Sequence, residues 1–172
     1  MTRRGTITFA AAAIFSLAGT ARAQRASLAI GAATAVGDLA NTAGTGFDVQ
    51  LQVRTEPMIG PIPLRIDIGY DWLAGKGTAR STVISAQSVS LLGDFGSRFY
   101  WIAGPGFYQS TQTINVSGHN AAEQRDYLGA QVAVGMDIPV FRWTGFLEVA
   151  GVRFFSPHPT PMYVPVRFGI RL

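Results

Sequence analysis

The chain has 172 residues, enough for one domain, with 14% charged and 48% hydrophobic residues and no cysteine. Lack of cysteine excludes a disulfide framework and a thiolate metal site, and no run of about 18 apolar residues is present from which to build a membrane helix. Three of the fourteen basic residues (Arg3, Arg4 and Arg22) fall in a leader, so eleven basic and ten acidic residues remain, a net +1 that argues against a nucleic-acid partner.

Residues 1–23 read as a secretory signal. Arg3 and Arg4 precede an apolar stretch from Ile7 to Leu17, and Ala21-Arg22-Ala23 forms a small-x-small cleavage site. An uncleaved anchor is the competing reading, but this apolar stretch is too short to cross a hydrocarbon core of about 30 Å as a helix. Residues 24–172 are therefore expected to form the mature domain.

The first predicted strand runs from Arg25 to Val36, where alanine and glycine blur the contrast between faces. After a connection from Gly37 to Thr45, Phe47, Val49, Leu51 and Val53 alternate with Asp48, Gln50, Gln52 and Arg54. In an extended chain successive side chains point to opposite faces, so this segment is a strand with one apolar and one polar side. Thr55 to Pro63, with Pro57, Gly60, Pro61 and Pro63, reads as a turn. Leu64, Ile66, Ile68, Tyr70 and Trp72 then alternate with Arg65, Asp67, Gly69 and Asp71.

A connection from Ala74 to Ser81 leads to a strand from Thr82 to Leu92, and a turn from Gly93 to Ser97 leads to a strand from Arg98 to Gln112. The longest predicted loop is Thr113 to Asp126. Beyond it Leu128, Ala130, Val132, Val134, Met136 and Ile138 alternate with Tyr127, Gly129, Gln131, Ala133, Gly135 and Asp137. Pro139 to Thr144 is read as a turn, Gly145 to Phe155 as a strand and Ser156 to Met162 as a loop. The chain ends on Val164, Val166, Phe168, Ile170 and Leu172 alternating with Tyr163, Pro165, Arg167, Gly169 and Arg171. The registers of strands one, four, five and seven stay open.

Eight strands of about 10 to 13 residues match the length that a tilted strand needs to cross a bilayer. An even number of antiparallel strands can close without an unpaired edge, as lipid requires. The fold class expected is therefore all-β, an eight-stranded antiparallel up-and-down transmembrane barrel. If the first strand rises from the periplasm, the turns after strands two, four and six lie inside and the 113–126 loop lies outside, although the Thr55 to Pro63 connection is long for an inner turn. On this threading Phe47, Tyr70, Trp72, Tyr108, Tyr127 and Tyr163 gather near the outer strand ends, and Phe99, Trp101, Phe141, Trp143 and Phe146 near the inner ends. Two aromatic belts at the two interfaces are the expectation, with a soluble core filled by these rings as the alternative.

The chain resembles the eight-stranded outer-membrane barrel family of the OmpA and OmpX type, including its small outer membrane β-barrel domain proteins. The resemblance rests on the leader, on Ala35-Val36-Gly37-Asp38-Leu39, on the aromatic and glycine-rich stretch from Phe99 to Tyr108, and on the ending from Val164 to Leu172. It covers the whole mature chain and is one of pattern. It implies a bacterial outer-membrane location, transit with periplasmic chaperones, and a last strand (Val164, Val166, Phe168, Ile170 and Leu172) read by the barrel-assembly machinery. The family usually ends in phenylalanine, and this chain ends in Leu172.

The polar faces collect Asp48, Asp67, Asp71, Asp137 and Glu148 against Arg54, Arg65, Arg167 and Arg171. An eight-stranded barrel is only wide enough for side chains to fill, so these charges are expected to pair across it and plug it. Arg54, Arg65, Asp137, Glu148 and Arg171 are placed near one level at the periplasmic end. A narrow ion path or a catalytic carboxylate pair is the competing reading.

Histidine and serine chemistry would have to come from His119 with Ser117 and Glu123, or from His158 with Ser156, and nothing in the sequence fixes the geometry that a nucleophile needs. No phosphate loop, His-x-x-x-His pair or calcium-loop spacing occurs, so no cofactor or metal is predicted and the chain is read as not an enzyme. The leading functional expectation is a structural or surface-interaction barrel displaying Asn41 to Thr45, Gly75 to Arg80, Ile114 to Asp126 and Ser156 to Pro161. The alternatives are a soluble exported lipocalin-like barrel that carries an apolar ligand, and a small pore.

Overall fold

The computed structural model describes residues 25–59, 62–76, 83–116, 119–156 and 161–172. The expected leader, residues 1–23, lies outside the described residues. Eight strands follow one another: β1 Arg25–Val36, β2 Ala43–Ile59, β3 Ile62–Gly75, β4 Val83–Gly96, β5 Phe99–Val116, β6 His119–Val140, β7 Trp143–Phe154 and β8 Met162–Arg171. Each pairs antiparallel with its neighbours in sequence, and β1 pairs with β8, so the sheet closes as an up-and-down barrel. Closure gives every strand two partners and removes the free edges that an open sheet would leave.

The burial pattern is inside-out for a water-soluble protein. Asp48, Gln50, Gln52, Arg65, Asp67, Gln131, Glu148 and Arg167 are buried, whereas Leu28, Ile30, Phe47, Val49, Leu128, Val132, Val134, Val166 and Phe168 are exposed. The polar members of each alternating strand therefore fill the barrel, and the apolar members form its outer wall. The four open registers resolve as well, and there some inward positions are apolar: Ala29 and Ala33 of β1, Leu92 of β4, Ile102 of β5 and Ala150 of β7 face inward.

Several predicted connections are shorter in the structure. The expected loop from Thr113 to Asp126 is a β-ribbon, because β5 and β6 remain paired from Gln109↔Asp126 to Val116↔His119. Polar residues populate both faces there, so no period of two marks the pairing in the sequence. The Thr55 to Pro63 turn shrinks likewise, since β2 continues to Ile59 and β3 resumes at Ile62, with Pro57 inside a register shift between Thr55 and Ile59. A bulge tolerates a missing ladder N–H, which is why proline there does not end the strand. β4 continues to Gly96 and β6 to Val140, leaving Ser97-Arg98 and Phe141-Arg142 as turns. Gly96 takes φ 115° at the first of these, a conformation in which a side chain would be strained.

The two ends of the barrel consequently differ. One end has tight connections and holds the start of β1 and the end of β8. The opposite end carries the short Gly37–Asn41 3-10 helix, the β5–β6 ribbon and the longer segments after β3 and β7.

Candidate functional site in the barrel interior

Midway through the barrel the strands bring together charges that are far apart in sequence. Arg65 donates to Glu148 at 2.7 and 3.1 Å and to Asp67 at 2.8 Å. Arg167 grips Asp48 with Nε and Nη2 at 2.7 and 2.9 Å and reaches Glu148 with Nη1 at 3.2 Å. Glu148 therefore links two guanidinium groups, and the run Asp67, Arg65, Glu148, Arg167, Asp48 crosses the interior from β3 to β7 to β8 to β2. Neutral donors support it: Tyr100 Oη reaches Glu148 at 3.2 Å and Gln131 Nε2 reaches Asp67 at 3.4 Å. Asp71 accepts from Tyr163 Oη at 2.6 Å. Fork-shaped guanidinium groups suit such sites because each can serve two carboxylates with fixed geometry.

A second tier lies toward the tight-turn end. Arg171 donates to Asp137 at 3.0 and 2.6 Å and stands over the rings of Tyr100 and Phe146, 5.2 and 4.9 Å from their centroids. Arg54 pairs with Asp94 at 2.5 Å. The single level expected for Arg54, Arg65, Asp137, Glu148 and Arg171 is thus two tiers, because Arg65 and Glu148 join the central network. Asp94 is an interior acid that the sequence reading left out. Its strand carries glycine and serine in both faces, and the one available signal was its two-residue spacing from Leu92 and Ser90, which are also buried.

Toward the opposite end the interior becomes aromatic. Tyr108, Phe154 and Tyr163 pack with Leu73, Val152, Ala33, Ala35 and Ala43. Phe154 sits 4.8, 5.3 and 5.8 Å from the ring centroids of Tyr108, Tyr127 and Tyr163. This corrects the assignment of Tyr127 and Tyr163 to an aromatic belt: both turn inward, as does Tyr108. Their alternation parity, rather than their place near a strand end, decides the face. Phe146 is likewise interior, with no exposed surface.

The remaining residues expected in the belts face out. Phe47 stacks on Trp72 at 5.5 Å and meets Tyr70 at 6.1 Å near the ribbon end. Phe99, Trp101, Phe141 and Trp143 are exposed near the tight-turn end, with Phe95 stacked on Trp101 at 4.2 Å. On β8, Val166, Phe168 and Ile170 are exposed, Leu172 is exposed just beyond the strand, and Val164 is half-buried.

Of the groups considered for hydrolysis, Ser117 and His158 lie outside the described residues. His119 begins β6 opposite Val116, and the Glu123 carboxylate is held by Arg125 Nε at 2.7 Å. Among the described residues no group of three histidine, cysteine or carboxylate side chains is placed to hold a metal ion.

No family model and no curated protein sequence matches the chain. Solved structures do. Neisserial surface protein A aligns over 87% of this chain and 96% of its own, with TM-score 0.59 and 14% identity. The N-terminal β-barrel domain of Pseudomonas aeruginosa OprF aligns over 87% and 97%, with TM-score 0.51 and 10% identity. The Yersinia pestis outer membrane protein Ail, in a phospholipid bilayer nanodisc, aligns over 87% and 100%, with TM-score 0.51 and 12% identity. The shared property is the fold, that of small outer-membrane β-barrels.

Proposed function

We propose that the chain is an exported outer-membrane barrel with a structural or surface-interaction role, its interior closed by paired charges and its ribbon end displayed outside the cell. The carrying observation is the inside-out burial pattern. A belt of exposed Leu, Ile, Val and Phe surrounds an interior in which Arg65, Asp67, Glu148 and Arg167 are at most 2% exposed. In water that wall would be a large apolar patch; in lipid it is the ordinary outer face of a barrel. Outer-membrane lipid is then the principal surroundings. Removal of residues 1–23, periplasmic chaperones and recognition of the β8 pattern by the assembly machinery belong to the same reading.

Orientation follows from the two unlike ends. Tight turns at the periplasmic side and longer excursions outside are the asymmetry of such barrels, which puts the 3-10 turn, the β5–β6 ribbon and the segment around Ser156 at the cell surface. Those segments are where a binding partner would act.

The lipocalin-like alternative needs an apolar lumen and a polar exterior, the reverse of this distribution. The pore reading needs an open lumen, yet the cross-section is occupied by the guanidinium and carboxylate network and by the aromatic cluster above it.

The test is fractionation of expressing cells followed by electrophoresis of the membrane fraction with and without boiling. An outer-membrane band that shifts on boiling is the expected result, and a soluble periplasmic protein with no shift would overturn the proposal.

A further inference from the structure

Every outward position in the apolar wall is expected to be uncharged, because a charge facing hydrocarbon lacks both water and a partner. Among the described strand residues, the outward set carries two charges, Asp126 and Arg153. Asp126 lies on the ribbon and is bonded by Gln109 Nε2 at 3.1 Å. Arg153 lies one residue before the outer end of β7, exposed between buried Val152 and Phe154. Its cross-strand partners are Ala130 on β6 and Met162 on β8. Outward Leu128, Val132 and Phe155, all exposed and apolar, flank it.

Nothing among the described residues neutralises this guanidinium. On β6 the outward carboxylate of Asp126 stands four residues from Ala130, roughly 13 Å along a strand and beyond the reach of the side chain. Immediately below Arg153 on the same face is Gly151, where an added Cβ would meet no atom within 4 Å, so the wall is bare at that point.

We infer that Arg153 is a lipid-headgroup site, taking the phosphate of an anionic outer-leaflet lipid while an acyl chain of that lipid lies along the bare wall at Gly151. The inference rests on the membrane reading proposed above. Charge complementarity selects the occupant: a lone cation at headgroup depth on an apolar wall is satisfied by a phosphate bearing hydrocarbon. A guanidinium can hold such an oxyanion through two parallel hydrogen bonds, so arginine suits the position better than lysine would.

The experiment compares the full mature chain and Arg153→Gln, each folded into phosphatidylcholine vesicles with and without a fraction of lipid A, by urea titration. Lipid A is expected to raise the wild-type folding equilibrium constant on the order of fivefold, the worth of one basic side chain at an anionic lipid surface, and Arg153→Gln is expected to lose that gain. Arg125→Gln, which removes an exposed cation on the ribbon, is expected to keep it. A folded Arg153→Gln protein with an undiminished lipid A response overturns the site alone. Absence of a heat-shifted band in every vesicle overturns the membrane reading and the site with it. Inorganic phosphate added to phosphatidylcholine vesicles is expected to leave stability unchanged; a gain equal to that from lipid A would reassign the site to free anions.

Discussion

Arg65 and Glu148 are 83 residues apart in sequence and are joined by two hydrogen bonds across the barrel, at 2.7 and 3.1 Å. β3 and β7 are not neighbours in the sheet, so this contact spans the lumen and ties opposite walls together. Because Glu148 also accepts from Arg167, its carboxylate is the one acid shared by both central guanidinium groups.

Replacing Glu148 by glutamine keeps the volume and removes the carboxylate that both central guanidinium groups share, while Asp67 still faces Arg65 and Asp48 still faces Arg167. A buried charge left wholly uncompensated costs about 3–5 kcal/mol, which is the upper bound here. Urea unfolding from vesicles is expected to show a clear loss below that bound. In a double-mutant cycle with Arg65→Met the two losses are expected to be non-additive by about 1 kcal/mol or more; strict additivity would mean that the pair does not interact in the folded protein.

Asp71 behaves differently. The central interior holds two guanidinium groups, of Arg65 and Arg167, and four carboxyl groups, of Asp48, Asp67, Asp71 and Glu148. Neither of these arginines donates to Asp71, which instead accepts from Tyr163 and faces Asp48 across β2 and β3. Asparagine can accept the same tyrosine proton while reducing the acidic excess, so Asp71→Asn is expected to fold with unchanged or increased stability. Asp48→Asn, which weakens the two-pronged grip of Arg167, is expected to be destabilised in the same titration.

How far the sequence disclosed these relationships depended on contrast between faces. On β2, β3, β6 and β8 the alternation of apolar with charged or glutamine residues fixed both strand and inward face, so Asp48, Arg65, Asp67 and Arg167 could be placed inside without a structure. Parity alone does not say which charge meets which, and the split into two tiers depends on strand tilt and stagger. Tyr127 and Tyr163 were misassigned because tyrosine suits an interface and a hydrogen-bonded interior equally well. The β5–β6 ribbon was invisible because pairing in water needs no apolar face.

The Tyr100 ring lies along the inner wall over its cross-strand partner Gly135, where an added Cβ would stand 2.5 Å from Cζ of the ring. Gly135→Leu is therefore expected to displace the ring and its hydrogen bond to Glu148. The expected outcome is a sharp fall in the refolded, heat-shifted fraction. Gly151→Leu, placed on the outer wall with open space around it, is expected to refold normally; similar losses for both would show that glycine matters there for strand conformation rather than for the ring.

The outer wall predicts a dependence on depth. Val134 faces out beside Val149 in the middle of the β6–β7 ladder, whereas Phe141 is fully exposed in the turn between those strands. Arginine at position 134 would face hydrocarbon and is expected to cost about 2–4 kcal/mol, while arginine at position 141 is expected to cost about 1 kcal/mol or less. Vesicle unfolding measures both. Equal, small costs at the two positions would contradict a membrane-embedded wall.

The β5–β6 ribbon gives the clearest separation of folding from display. Among the described residues β7 leaves β6 at Gly129↔Phe154 and β4 accompanies β5 only to Val83↔Thr113, so the pairs from Ile114↔Ala121 to Val116↔His119 have no third described strand beside them. The central ion pairs and the β1–β8 seam lie below this level and do not involve it. Excising residues 114–121 and joining Thr113 to Ala122 through a two-residue Asn-Gly turn, whose positive φ angles suit a tight hairpin, should therefore leave the barrel closed. The expected result is an unchanged heat shift and a nearly unchanged urea midpoint in vesicles, together with loss of any partner binding that the wild-type protein confers on whole cells. Loss of the heat shift would instead make the ribbon part of the folding unit and remove it as an independent display element.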